Sequence, residues 1–221
     1  AGIKDDTLAV FDASPASRLL LSKQISHLHT KQGLPVLNDF AGEKILSTIQ
    51  EARDAGDSVG GLVECVATGI PAGMGSPLFE GLESTIAHAI FSIPAVKGIE
   101  FGLGFEAART RGSENNDPYV VQDGKVQPKT NNAGGILGGI STGAPLFFTC
   151  AFKPISSISL PQRSVDLSSN TQTTLEVHGR HDTCAALRAV PVVEAVCALA
   201  LLDAELSWPQ ESKRNPYEVG L

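Results

Sequence analysis

The sequence predicts an α+β protein whose helices lie enclosed between sheets. Two observations carry that prediction. Segments with the 3.6-residue apolar period of helices alternate with short apolar runs of strand type. The last long helix, Ala186 to Leu206, is apolar nearly all round, with Val192, Val193, Val196, Leu199, Leu201 and Leu202 on different faces. A helix without a polar face needs cover on both sides.

The elements follow in order. Ser14 to Gln32 has helical spacing through Leu19, Leu20, Ile25 and Leu28, and Gly33 then Pro35 end it. Glu43 to Ala55 repeats the pattern with Ile45, Leu46, Ile49 and Ala52, closed by Gly56. Asp57 to Ala67 reads as a strand. Ser76 to Phe91 reads as a helix opened by a Ser–Pro cap and first-turn pair. Gly98 to Ala108 follows as a strand. The polar stretch from Arg109 to Asn132 reads as an exposed excursion, with a hairpin of Tyr119–Val121 against Lys125–Gln127 around Asp123-Gly124. Strands at Ala144–Phe152 and Thr173–Val177 precede the final helix, and residues 208–221 read as a weakly ordered tail.

Composition limits the function. Seventeen Lys and Arg against 24 Asp and Glu give a net charge of −7. That balance argues against nucleic acid, which needs massed cations and, for single strands, stacking aromatics that here make up only 5%. Positive charge for an anionic ligand must therefore be local, and Lys153, Arg163, Arg180 and Arg188 are its candidates. No apolar run reaches the ~18 residues of a membrane span. Cys65, Cys150 and Cys197 sit in apolar runs, which reads as buried free thiols in a reducing compartment. The chain opens at Ala1 without Met or a signal-peptide pattern, which suggests processing or a fragment.

Three motifs carry chemistry. The glycines of NNAGGILGGISTG, Asn131 to Gly143, let backbone N–H groups approach a ligand, or else serve tight turn packing. Gly134, Gly139 and Ser141 fit a P-loop, but Ile140 replaces its lysine, so a nucleoside triphosphate site is disfavoured. In KPISS, Lys153 is a point cation, Pro154 fixes a turn, and Ser156 and Ser157 offer hydroxyls to a phosphate. In GRHD, Arg180 is a planar fork for phosphate or carboxylate. Asp182 precedes the final helix as either an N-cap or a chemical group. His181 titrates near neutrality, and its bland alternative is an imidazole bonded within the core. His178, His181 and Cys184 lack a fourth ligand for zinc.

In this order, and with GGLVECVATGIPAGMGSPLFEGLESTIAHAIFSIPAVKGIEFG upstream (Gly60 to Gly102), the motifs resemble chorismate synthases. The resemblance implies a layered sandwich with antiparallel sheets enclosing helices, and a homotetramer. It implies a reduced-FMN-dependent lyase that converts 5-enolpyruvylshikimate 3-phosphate to chorismate by 1,4-anti elimination of phosphate. It does not decide whether an NADPH-dependent flavin reductase activity accompanies that reaction. By the same resemblance Pro94, Ala95, Gly138, Lys153, Pro154, Ile155, Ser156 and Ser157 contact the flavin. Arg180 lies between flavin and substrate, and Asp182 handles the flavin N5 proton. The family commonly has Asn where this chain has Pro94, so contact there falls to the backbone. Residues 1–221 read as one core lacking the family's opening segment, with its two histidines, several arginines and an RSS-type flavin segment. The 221 residues alone are therefore expected to be deficient in catalysis. The alternative is a non-catalytic flavin- or anion-binding or assembly module of the same fold.

Overall fold

In the computed structural model, residues 2–12, 14–122 and 124–208 are described. The helices are α1 (Pro15–Thr30), α2 (Asp39–Asp54), α3 (Leu82–Ile90), the single-turn α4 (Gly112–Asn115) and α5 (Ala186–Ser207). The strands are β1 (Gly61–Ala67), β2 (Val96–Phe101), β3 (Tyr119–Gln122), β4 (Lys125–Pro128), β5 (Ile136–Leu137), β6 (Ile140–Ser141), β7 (Leu146–Phe152), β8 (Gln162–Asp166) and β9 (Thr171–Leu175). Among the described residues they make one three-stranded antiparallel sheet, β1-β7-β2, and three two-stranded hairpins. The α+β class predicted by the sequence is the class observed.

β7 explains the layers. Its odd and even side chains point to opposite faces, as a strand requires. Leu146, Phe148, Cys150 and Phe152 join α3 and α5 in the larger core. Phe147 faces the other way, into a smaller core with Leu8, Val10 and Leu21. Phe11 packs edge-on against Phe147, ring centroids 5.6 Å apart. The sheet thus has helices on both faces. α5 is covered by β1 and α3 on one side only: Val192, Leu199, Leu202 and Leu206 on its far side are exposed.

Several boundaries moved for identifiable reasons. The expected helix from Ser76 is a 3-10 turn at Leu78–Glu80 followed by α3, because Gly81 takes an extended backbone (φ −60°, ψ 149°). The Leu82 N–H then donates to the Gly139 carbonyl at 2.9 Å instead of within a helix. The expected strand to Ala108 ends at Phe101, since Gly102 and Gly104 both have positive φ and a 3-10 turn follows. α2 starts four residues early, capped by the Asn38 side chain, which accepts from Phe40 and Ala41 N–H. β8 was not foreseen; its hairpin closes through Asp166, whose Oδ1 accepts from the Ser168 N–H at 2.8 Å. Trp208 is buried in the larger core, and the remainder of the predicted tail lies outside the described residues.

Candidate functional site

KPISS, GRHD and Pro94–Ala95, but not the glycine stretch, converge at the end of the sheet where β7 finishes. The Lys153 N–H donates to the Ala95 carbonyl at 2.9 Å, which sets Pro94–Ala95 beside the start of KPISS. The pairing follows from register, because Val96 opposes Phe152 and a bulge separates it from Gly98. Ala95 has φ 73°, a left-handed conformation that costs a non-glycine residue about 1–2 kcal/mol. Strain of this kind concentrates at functional sites.

The GRHD loop reaches the same end through the segment before β1. The Ser58 hydroxyl donates to the Ile155 carbonyl at 2.6 Å, and the next residue, Val59, donates its N–H to the Thr183 carbonyl at 2.9 Å. Behind them the Ser159 N–H bonds the Gly56 carbonyl at 2.9 Å. A Cβ on Gly60 would lie 2.5 Å from the Phe152 carbonyl oxygen, and one on Gly61 2.7 Å from Ala186 Cβ. Only glycine permits this approach of three chain segments.

Asp182 does not cap α5. The N-cap is Ala185, without a side-chain bond, and Asp182 Oδ2 instead accepts from Arg188 Nη1 at 2.6 Å. His178 and His181 are exposed, which excludes the core imidazole reading for both; His178 Nε2 lies 3.9 Å from Glu176. Arg180 is exposed and, among the described residues, makes no ion pair. Arg163 lies on the outer hairpin strand β8.

Gly138 stands apart. It turns the β5–β6 hairpin at the opposite end of β7, which spans about 20 Å. The structure does not bring it together with Lys153 or Arg180. Its glycine neighbours serve chain packing: a Cβ on Gly135 would lie 2.6 Å from the Pro145 carbonyl, and one on Gly139 would strike that of Ser76. Gly138, by contrast, has nothing within 4 Å of its Cβ position. The buried Asn131 donates through Nδ2 to the Val10 and Pro145 carbonyls, both at 2.9 Å, and so ties the loop to the N-terminal segment. Asp117 accepts from the Asn132 and Ala133 N–H groups at 2.7 and 3.0 Å.

The donor set at the KPISS end fits an anionic, phosphate-bearing cofactor. Lys153 is half-buried, and among the described residues its ammonium bonds only the Pro154 carbonyl, at 3.3 Å. Among the described residues the Ser156 and Ser157 hydroxyls make no hydrogen bond. An ammonium bonded to a single carbonyl and two unbonded hydroxyls are what a phosphate needs in a chain of net charge −7. Two concavities lie away from this end, one lined by Lys4, Asn38 and Phe40 and one by Arg18, Gln122 and Lys125. The four cysteines are free. Contact with the Cys197 thiol and burial push Cys65 up, and burial pushes Cys150 up to about 11. Sequence reasoning missed Ser58 and Val59, whose role is visible only once distant segments meet. Nothing in the i, i+6 spacing of Asp182 and Arg188 announced their pairing, since helical neighbours are three or four residues apart.

The fold is α+β, with Lys153, the KPISS serines and the GRHD loop gathered at one end of its central sheet. A family model described as chorismate synthase matches residues 6–206. The chain is 54% identical to a chorismate synthase of Lancefieldella parvula over 217 residues, 97% of this chain and 57% of that protein. It is 55% identical to one of Thermococcus gammatolerans over 166 residues, 75% of this chain and 47% of that protein. A solved structure titled as the crystal structure of chorismate synthase superposes with a TM-score of 0.68 at 31% identity, covering 92% of this chain and 52% of that one. The chain belongs to the chorismate synthase family. It spans about half the length of the relatives it matches. No helix among the described residues is long and apolar enough to cross a membrane.

Proposed function

We propose that this chain forms the flavin-binding end of a chorismate synthase, a carbon–oxygen lyase acting on 5-enolpyruvylshikimate 3-phosphate with reduced FMN. The observation that carries this reading is the convergence of Ala95, the KPISS loop and the GRHD loop at one sheet end. Lys153, Ser156 and Ser157 bind the flavin phosphate, with Pro154 and Ile155 shaping the turn. Pro94 and Ala95 present backbone to the ring system. Bound reduced flavin supplies electron density while phosphate leaves. Arg180 holds negative charge between cofactor and substrate, where fixed cations count most. Asp182, steadied by Arg188 and not committed to a cap, accepts and returns a proton. Gly138 offers open backbone to a ligand from the far end of the sheet, through a part of the site that these contacts do not close.

The proposal includes weak turnover by these 221 residues alone, since the family's two histidines and its RSS-type segment have no counterpart among them. It also includes self-association, tetrameric in the family, which the exposed far side of α5 supports. The match to only about half the length of its relatives favours one second reading, a binding or assembly module without turnover. A fluorescence titration with FMN, with and without 5-enolpyruvylshikimate 3-phosphate, tests the reading. Substrate-enhanced flavin binding supports it, absence of flavin binding sinks it, and a chorismate assay separates enzyme from module.

A further inference from the structure

We infer that Ser58 is a positioning residue: with the backbone of Val59 it fixes the KPISS loop against the GRHD loop, and so sets the geometry of the anion site. The inference rests on the reading of that site as a flavin site.

Four observations meet at these residues. The Ser58 hydroxyl reaches the Ile155 carbonyl at 2.6 Å, in the middle of KPISS. The adjacent Val59 N–H reaches the Thr183 carbonyl at 2.9 Å, one residue beyond Asp182. The Asp57 carboxylate accepts from the Ser58 N–H at 2.8 Å, which holds the serine in place. Gly60 and Gly61 press against Phe152 and Ala186, the residues where β7 ends and α5 begins. The loops otherwise have few internal restraints. Residues 176–185 form no regular element, and the KPISS segment is otherwise held by the Lys153–Ala95 bond, by the Ile158 N–H and Gln162 Nε2 bonds to the Ser156 carbonyl, and by the Ser159–Gly56 bond outside it. Two successive residues therefore carry one restraint to each loop. A peptide unit is planar and stiff, so displacement of one loop is passed to the other. A site in which Lys153 and Arg180 share one anion needs that relation fixed before the ligand arrives.

The test uses the 221-residue chain and two variants, Ser58→Ala and Ser58→Thr. Loss of one hydrogen bond predicts a local opening, and a loss of FMN affinity, of about fivefold in Ser58→Ala. Ser58→Thr keeps the hydroxyl and stays within about twofold of the parent. Hydrogen exchange without ligand should quicken at 155–159 and at Val59 in Ser58→Ala, while α3 amides stay unchanged. FMN bound to the parent chain should slow exchange in both loops; in Ser58→Ala it should slow exchange at 153–159 alone. A purely structural serine would not move that coupling. Parent-like FMN affinity and parent-like exchange in Ser58→Ala overturn the inference. A parent chain that binds no FMN overturns the functional reading and the flavin role of Ser58. Ligand-free exchange then still reports whether Ser58 holds the two loops.

Discussion

Arg188 Nη1, in the first turn of α5, lies 2.6 Å from Asp182 Oδ2, and this pair stands where an N-cap was one of the two expectations. Its side chains are 77% and 50% exposed, so the bond adds little to stability, under about 1 kcal/mol. A carboxylate held by a guanidinium and spared from capping is available for proton transfer.

Asp182→Asn should accordingly leave the urea midpoint of the chain unchanged. In an intact enzyme it should slow turnover by at least about tenfold, as loss of a positioned acid–base group does. A destabilisation of about 1 kcal/mol, the loss expected of a cap, would return Asp182 to a structural role.

Arg180→Ala should weaken FMN binding measured with 5-enolpyruvylshikimate 3-phosphate present by roughly 10- to 100-fold, the range for a hydrogen bond to a charged group. Thermal stability should not change, since Arg180 is exposed and pairs with no described carboxylate. Unchanged ternary affinity would remove Arg180 from the site.

The glycines of the β5–β6 region should separate into two groups. Gly139→Ala should destabilise by about 3 kcal/mol or more, because its Cβ would strike the Ser76 carbonyl at a φ of 85°. Gly138→Ala should cost about 1 kcal/mol, from its φ of 61° alone. Chemical denaturation of both variants checks the difference, and equal losses would show that Gly138 is also packed.

Thiol chemistry offers a further check. With Cys150 pushed up to about 11, roughly one molecule in a thousand carries its thiolate at pH 8. Ellman's reagent should therefore label Cys150 and Cys65 slowly in the native chain and at once in urea. Prompt labelling of either in buffer would contradict the burial described.

The β8–β9 turn should withstand mild acid. Bonds from the Ser168 hydroxyl and N–H and from Ser169 hold Asp166 at about 2, below its ordinary 3.8. Because the folded value is the lower one, this stabilisation is complete above pH 3.8 and fades as pH falls toward 2. Amide shifts of Ser168 and Ser169 followed by NMR should hold to pH 3, and Asp166→Asn should abolish the transition.

Much of the fold was legible because periodicity and punctuation are local. Ile25 and Leu28 mark the packed side of α1 as expected, whereas Leu19 and Leu20 are exposed and the unread Leu21 is buried; Gly124 marks the β3–β4 turn. The misplaced boundaries lie where distant backbone overrides local pattern: Gly81 breaks the helix because the Gly139 carbonyl receives Leu82, and Gly102 ends β2 because Asn132 lies against it. The site was legible as motifs but not as a neighbourhood. Nothing near Ser58 in sequence announces Ile155, and nothing in NNAGGILGGISTG announces that Gly138 is the open glycine at the far end of β7.

The order of the central sheet also bears on how the chain is made. β1 and β2 do not touch each other; each pairs only with β7, whose first residue follows the end of β1 by roughly eighty residues, several seconds of ribosomal synthesis. During that interval two apolar strands leave the ribosome with unpaired edges and no partner. Half-made chains would therefore engage chaperones before Leu146 emerges, and arrest upstream of β7 would yield an aggregating product.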